Sequence, residues 1–239
     1  MKITKYPQSN FLIESSGKRI IIDPGNLTFE KYKPADFGDL DAILITHSHP
    51  DHFHKEAVVK FIEQKVPLYG NHDVVKQFET DKFEVLKVEH GKEFEVAGFQ
   101  IKPIDIPHFQ LLYCEQDKKP LTADEITPDK RCKLHPDLEP GRVDGPPNTG
   151  FLVNGVFFHP GDGIEKAGLT IENAAIPING PTIDFDRAWA FSNSLQAKKI
   201  IPMHYSHPTF KVDPHEFAKV STGNTKVIVL NDGESTNID

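Results

Sequence analysis

The stretch "DAILITHSHPDHFH", residues 41–54, decides how this chain is read. It opens as an apolar run, and five of its last eight residues, His47, His49, Asp51, His52 and His54, can bind a metal or carry a proton. Successive side chains of an extended segment alternate sides, so His47 and His49 project the same way and can grip one metal through two imidazoles. Asp51 and His52 lie where the chain turns toward a helix, which swings a carboxylate and a third imidazole to a neighbouring position. The spacing H-x-H-x-D-H suits two adjacent metals better than one, because a single zinc site needs only three protein ligands and a water.

Working outward, "KITKY", "NFLIES" and "KRIIIDP" read as strands before the buried strand "DAILIT". "HKEAVVKFIEQK" follows with helical spacing, placing Ala57, Val58, Phe61 and Ile62 on one side. "VPLYG" then reads as a strand, "DVVKQFE" as a helix, and Gly98 marks a hairpin. A polar, Lys- and Pro-rich stretch from about 114 to 149 has neither period and reads as an inserted loop or lid within a single domain spanning 1–239.

The two halves echo one another. "FLIESSGKRIIIDPG" (11–25) matches "FLVNGVFFHPGDG" (151–163), and "ILITHSHP" (43–50) matches "IIPMHYSHP" (200–208). Asn154-Gly155 is a hairpin turn signal in the second copy. Two such halves, each a sheet covered by helices, predict an α/β fold in which sheet packs on sheet as a four-layer αββα sandwich.

Composition narrows the function. The 239 residues are 38% hydrophobic, enough for a real core, and no apolar run approaches the roughly 20 residues of a membrane span. The start "MKITKYPQSN" lacks a secretory h-region, so a cytoplasmic protein is expected. A net charge of −8 argues against nucleic acid and favours a small-molecule substrate, while a homo-oligomer is left open. The two cysteines, Cys114 and Cys132, sit in one polar segment, and neither a disulfide framework nor a thiolate metal site is expected of them.

Further ligands must come from other strand ends. His108 closes "FQIKPIDIPH"; taken alone it reads equally as an ordinary strand-end histidine. Asp162, in "FFHPGDG", sits in a turn that aspartate also caps structurally. His204 follows "KKIIPM", and its place in the second echo matches that of His47.

In this order, "IIIDPG", "THSHPDH", His108, "HPGDG" and "IPMH" resemble the metallo-β-lactamase-fold hydrolase superfamily over nearly the whole chain. The opening "MKIT…FLIE…GKRIIIDP" is most similar to its small lactonase-like branch. The resemblance implies one metal on His47, His49 and His108, and a second on Asp51, His52 and His204. It makes Asp162 the bridge between them, Asp51 and Asp162 the catalytic carboxylates, and Asp23 a residue that orients a ligand. Oxidoreductases of this fold carry a carboxylate where His49 stands, so His49 points to hydrolysis. Many members of the branch have Gly-His where this chain has Pro7-Gln8, which puts any substrate contact there in doubt.

Two divalent metals about 3.5–4 Å apart can share a hydroxide of lowered pKa and polarise the bond it attacks. Nitrogen and oxygen donors suit zinc, the preferred metal here, and also manganese, iron or cobalt. The expected activity is hydrolysis of a small lactone, ester or phosphorylated metabolite. A phosphodiesterase or nuclease of the same fold is the rival enzyme, and a non-enzymatic metal-binding module the rival of another class. His54 and His207 flank ligands and read as polar surface residues or proton donors. His159 could face either way, and His72, His90, His135 and His215 read as surface residues. Phe53, Phe109 and Tyr113 follow ligand positions and read first as core.

Overall fold

The computed structural model describes residues 1–166, 168–220 and 224–239. Among these, two seven-stranded sheets dominate. The first runs in the order Ser235–Asn237, Lys2–Lys5, Phe11–Ser15, Lys18–Ile22, Ala42–Ile45, Leu68–Gly70, Val85–Lys87. The second runs Lys226–Val227, Lys199–Met203, Asn173–Pro177, Phe157–His159, Thr149–Val153, Phe99–Asp105, Phe94–Val96. Each contains an antiparallel hairpin, Phe11–Ile22 or Thr149–His159, that leads into a run of parallel strands. Parallel strands have both faces covered. Accordingly Ala42–Ile45 and Asn173–Pro177 are buried at every residue.

Three apolar layers explain the stacking. Ile3, Phe11, Ile13, Ile20, Ile22 and Leu44 of the first sheet meet Phe99, Ile101, Phe151, Val153, Phe157 and Met203 of the second. Each such buried side chain contributes about 1.5–3 kcal/mol. The opposite face of the first sheet, with Leu12, Ile21, Ile43 and Ile45, is covered by Val58 and Phe61 of helix Lys55–Ile62 and Val74 of helix His72–Lys76. The outer face of the second, with Phe158, Ala174, Ile176 and Ile200, is covered by Ala188, Trp189 and Phe191 of helix Phe185–Ser194 and Phe217 of helix Pro214–Lys219. The result is the expected αββα sandwich of two similar halves.

The second echo needs one correction. The hairpins match, but the strand paired in parallel beside each hairpin is Ala42–Ile45 in one half and Asn173–Pro177 in the other. Lys199–Met203 is one strand further out and corresponds to Leu68–Gly70, so His204 matches Asn71 rather than His47. The similarity of "ILITHSHP" and "IIPMHYSHP" reflects what any buried parallel strand and its exit loop require, not equivalent topology.

Within the stretch expected as an insert, Lys119–Pro120 and Gly141–Val143 flank Leu111–Cys114 in a separate three-stranded sheet. Thr149 already belongs to the second large sheet. No helix among the described residues is long and apolar enough to cross a membrane.

Candidate metal centre

The histidine loop is shaped by its interlock with "DPG". Strand Ala42–Ile45 ends at Thr46, and the chain turns after His49, whose carbonyl accepts from the N–H groups of His52 (3.0 Å) and Phe53 (2.9 Å). Asn26 N donates to Pro50 O (2.8 Å) and His54 N to Pro24 O (3.2 Å), binding the two loops together. Only glycine fits at position 25, since a Cβ there would lie 1.9 Å from Asp51 O. Asp23, at φ 53°, turns its carboxylate inward: Oδ1 accepts from Thr46 N (2.8 Å), and Oδ2 from Thr46 Oγ1 (2.6 Å) and His52 Nδ1 (2.7 Å).

The other ligand candidates arrive from the second half. His108 bridges to Gly163, and Phe109 N donates to Asp162 O (2.9 Å), so the loop after Phe99–Asp105 and the turn after Phe157–His159 hold each other. Asn148 supports that turn, accepting from Asp162 N (3.2 Å) while its amide donates to Ile106 O and Pro160 O. His204 follows Lys199–Met203 in the left-handed region, at φ 59°. Non-glycine residues held there are strained, and such strain is characteristic of functional sites.

All seven expected ligands converge as two adjacent groups: His47, His49, His108 and Asp162, and Asp51, His52 and His204. Within each, the donor atoms lie within 4.8 Å of one another. Asp162 joins the two. Its Oδ2 lies 3.8 Å from His47 Nε2, 3.3 Å from His108 Nε2 and 3.4 Å from His204 Nε2, and its Oδ1 lies 3.1 Å from His52 Nε2. His204 Nε2 is also 3.2 Å from Asp51 Oδ2, and His49 Nδ1 is 3.3 Å from His108 Nε2.

The rings are oriented from behind. His52 donates through Nδ1 to Asp23, His108 to Phe109 O (2.5 Å), His204 to Asn179 O (2.6 Å) and His47 to Thr46 Oγ1 (3.1 Å). Each bond places a ring proton on Nδ1 and turns Nε2 toward the cluster, the orientation that metal-binding imidazoles require. His47 Nε2, His52 Nε2 and Asp162 Oδ1 are buried without a hydrogen-bond partner. Orphaned buried polar atoms are costly, and a cation in their midst satisfies all three. The donor set therefore fits divalent metal.

Electrostatics agree. Burial raises Asp162, but the His204 and His52 charges outweigh it and hold it well below the usual carboxylate range. Asp51 is likewise lifted by burial and held down more strongly by His52 and His204. Burial lowers His204, yet Asp162 and Asp51 hold it up at about 10. Burial lowers His52 too, but Asp162, Asp23 and Asp51 hold it well above its ordinary value. His47 and His49 go the other way, pushed down by burial and by neighbouring imidazoles, His49 to about 4. The cluster thus demands positive charge on one side and offers neutral imidazoles on the other.

Sequence reasoning missed Gln8 as a supporting residue. The buried Gln8, at φ 61°, donates from Nε2 to Asp51 Oδ2 (3.0 Å), while its Oε1 accepts from Ser206 N (3.1 Å) and its carbonyl from His204 N (3.1 Å). Only the departure from Gly-His marked that position. Thr46 carries no sequence signal beyond its place before His47, and Asn179 carries none. His54 caps helix Lys55–Ile62, its Nδ1 accepting from Ala57 N. His159 is buried and its Nε2 pairs with Ser9 O. Phe53 is core, whereas Phe109 packs on both His108 and His204.

The centre opens into a cavity of about 420 Å³. His49, Asp51, Asp162 and His204 line it together with Phe109, Pro181, His207 and Phe210, and Leu121–Asp124, in the small lobe built on the three-stranded sheet, add to the lining.

Comparison with known proteins agrees with this geometry. A UPF0173 metal-dependent hydrolase of Nanoarchaeum equitans is 29% identical over the full length of both chains. Another, from Polynucleobacter asymbioticus, is 30% identical over 96% of this chain and 84% of its own. Among solved structures, the metallo hydrolase Igni18 of Ignicoccus hospitalis superposes with a TM-score of 0.71 over 98% of this chain and 97% of its own, at 23% identity. Residues 2–204 match the family described as "Beta-lactamase superfamily domain". With the paired ligand groups lying where the two sheets' loops meet, the chain is a member of the metallo-β-lactamase superfamily.

Proposed function

We propose that this chain is a dinuclear metal-dependent hydrolase acting on a small lactone, ester or phosphorylated metabolite, with an uncharged lactone or ester favoured. The observation that carries this reading is Asp162, shared by two ligand groups at the floor of a cavity sized for a small molecule. His47, His49 and His108 would hold one metal and Asp51, His52 and His204 the other, with Asp162 between them; zinc is preferred, and manganese, iron or cobalt suit the same donors. Divalent ions held there supply a water of lowered pKa and polarise the scissile bond. Gln8 fixes Asp51 through its amide and ties it to the backbone of Ser206. His207 accepts from Thr209 N through Nδ1, and burial lowers its pKa, so its neutral ring offers an Nε2–H donor for a substrate oxygen. Phe109, Leu121 and Phe210 keep bulk water from the reacting bond.

Two other readings receive less support. A phosphodiesterase or nuclease would gain from basic residues beside the centre, yet no Lys or Arg is among the described residues lining the cavity, and Asp124 adds negative charge. A purely structural module needs four ligands and no cavity, whereas seven converge here beneath one. The test is elemental analysis of protein purified without chelator, with turnover on a panel of lactones, esters and phosphodiesters. About two metals in this centre and metal-dependent lactone or ester turnover are expected. Unfolding on chelation, with no turnover on any class, would overturn the hydrolase reading.

A further inference from the structure

Outside the histidine centre, the described residues assemble one more set of metal-donor side chains. Cys114, Asp117 and His135 bring their donor atoms within 4.8 Å of one another. Cys114 Sγ donates to Asp117 Oδ2 (3.4 Å) and accepts from Asp117 N (3.4 Å), and His135 Nε2 lies 3.2 Å from Asp117 Oδ1. Cys132 adjoins this trio, its buried thiol close enough to that of Cys114 for the two to interact. Both cysteines are buried, at 3% and 2% exposure, beside Leu112, Leu121, Ile126 and Phe210. The small lobe thus joins thiols that read as unconnected in the sequence.

The arrangement has a repeat that the sequence hides. Cys114-x2-Asp117 and Cys132-x2-His135 are two short loops with the same offset, each presenting a buried thiol and a more exposed oxygen or nitrogen donor. Paired loops with two residues between ligands are how structural zinc sites are commonly built.

We propose that Cys114, Asp117, Cys132 and His135 form a separate structural zinc site in the small lobe. The rival chemistries account for less. A disulfide would use both sulfurs and leave the convergence of Asp117 and His135 without a purpose. A nucleophilic thiol needs a base strong enough to take its proton, but Cys114 donates to the carboxylate of Asp117, which His135 holds below its ordinary range, rather than to His135. The lobe also needs a staple. Its apolar cluster comprises six buried residues, one of them Phe210 from the main body, and a core of that size does not hold a fold unaided. Zinc there would set the position of Leu121–Asp124, which line the cavity. This assignment stands on the lobe's own residues and is independent of the reaction proposed above.

Cobalt substitution tests it directly, because the chain has two cysteines and the histidine centre contains neither. The full chain loaded with cobalt(II) should show a near-ultraviolet thiolate-to-metal charge-transfer band. Asp162→Ala should retain that band, and Cys114→Ser or Cys132→Ser should abolish it together with one bound metal per chain. Should the cysteine variants not fold, His135→Ala and Asp117→Asn, at partly exposed positions, should weaken cobalt binding at this site by about tenfold or more. A cobalt-loaded parent with two free thiols and no charge-transfer band overturns the proposal. So does a disulfide found by intact mass in protein kept under reducing conditions.

Discussion

The two matching hairpins each run into a buried aspartate, Asp23 after Lys18–Ile22 and Asp162 after Phe157–His159, and the two carboxylates are treated in opposite ways. Asp23 is saturated: both oxygens accept, from Thr46 N, Thr46 Oγ1 and His52 Nδ1. Asp162 keeps Oδ1 without a hydrogen bond, and its Oδ2 faces three imidazole nitrogens at 3.3–3.8 Å. A saturated carboxylate orients its neighbours, and an unsatisfied one among lone pairs marks where cations belong. The loops leaving corresponding strands thus carry a support in one half and, on the proposed reading, a shared ligand in the other.

The sharpest way to break this contrast is Asp162→Ala. Removing the residue shared by both groups should deplete metal from both and lower turnover by at least ~1,000-fold. Elemental analysis and kinetics check it together, and full metal occupancy in the variant would end the bridging role. Asp23→Asn tests the other side. An amide cannot accept at both atoms, so His52 loses its fixed orientation, and metal affinity should fall by about 10–100-fold. Isothermal titration of metal into the stripped variant reads it, and unchanged affinity would reduce Asp23 to a turn residue.

Gln8→Ala should have a smaller effect, because Asp51 also faces His204 and His52 and is partly exposed. A hydrogen bond to a charged group is worth about 1.5–3 kcal/mol, and partial exposure of Asp51 puts this one at the low end, so roughly a tenfold loss in affinity for one of two metals is expected. Equal weakening of both metals would show that Gln8 acts on the whole fold rather than on Asp51.

The smallest effect concerns pH. In metal-free protein His204, raised to about 10, contributes stability that is complete below its ordinary 6.5 and is lost as pH rises toward 10. Asp51 and Asp162, held low, contribute stability that is present above 3.8 and lost as pH falls. Metal replaces the imidazolium proton, so the metal-induced gain in melting temperature should grow between pH 6 and 9 on this account, roughly in step with loss of that proton. A pH-independent gain would show that His204 is neutral in the stripped protein.

The chain's local code reaches a definite distance. The run Ala42–Ile45 and the spacing of His47, His49, Asp51 and His52 were legible because alternation along a strand and a tight turn act over a few residues. The hairpins were legible for the same reason, through Asn154-Gly155 and alternating apolar positions. The second echo misled because composition marks a buried parallel strand without recording its place in the sheet; only pairing showed Lys199–Met203 to be one strand further out.

What the sequence determined by itself is the layered α/β architecture and the half of the centre that lies in one loop. Tertiary structure alone brought His108, Asp162 and His204 to that loop, placed Gln8 behind Asp51, and gathered Cys114, Asp117 and His135. These meetings depend on strand register and on how two sheets pack through Phe11, Phe151 and Phe157, contacts between residues far apart in the chain. No local propensity encodes them, because each is a sum over the whole core rather than a property of any one segment.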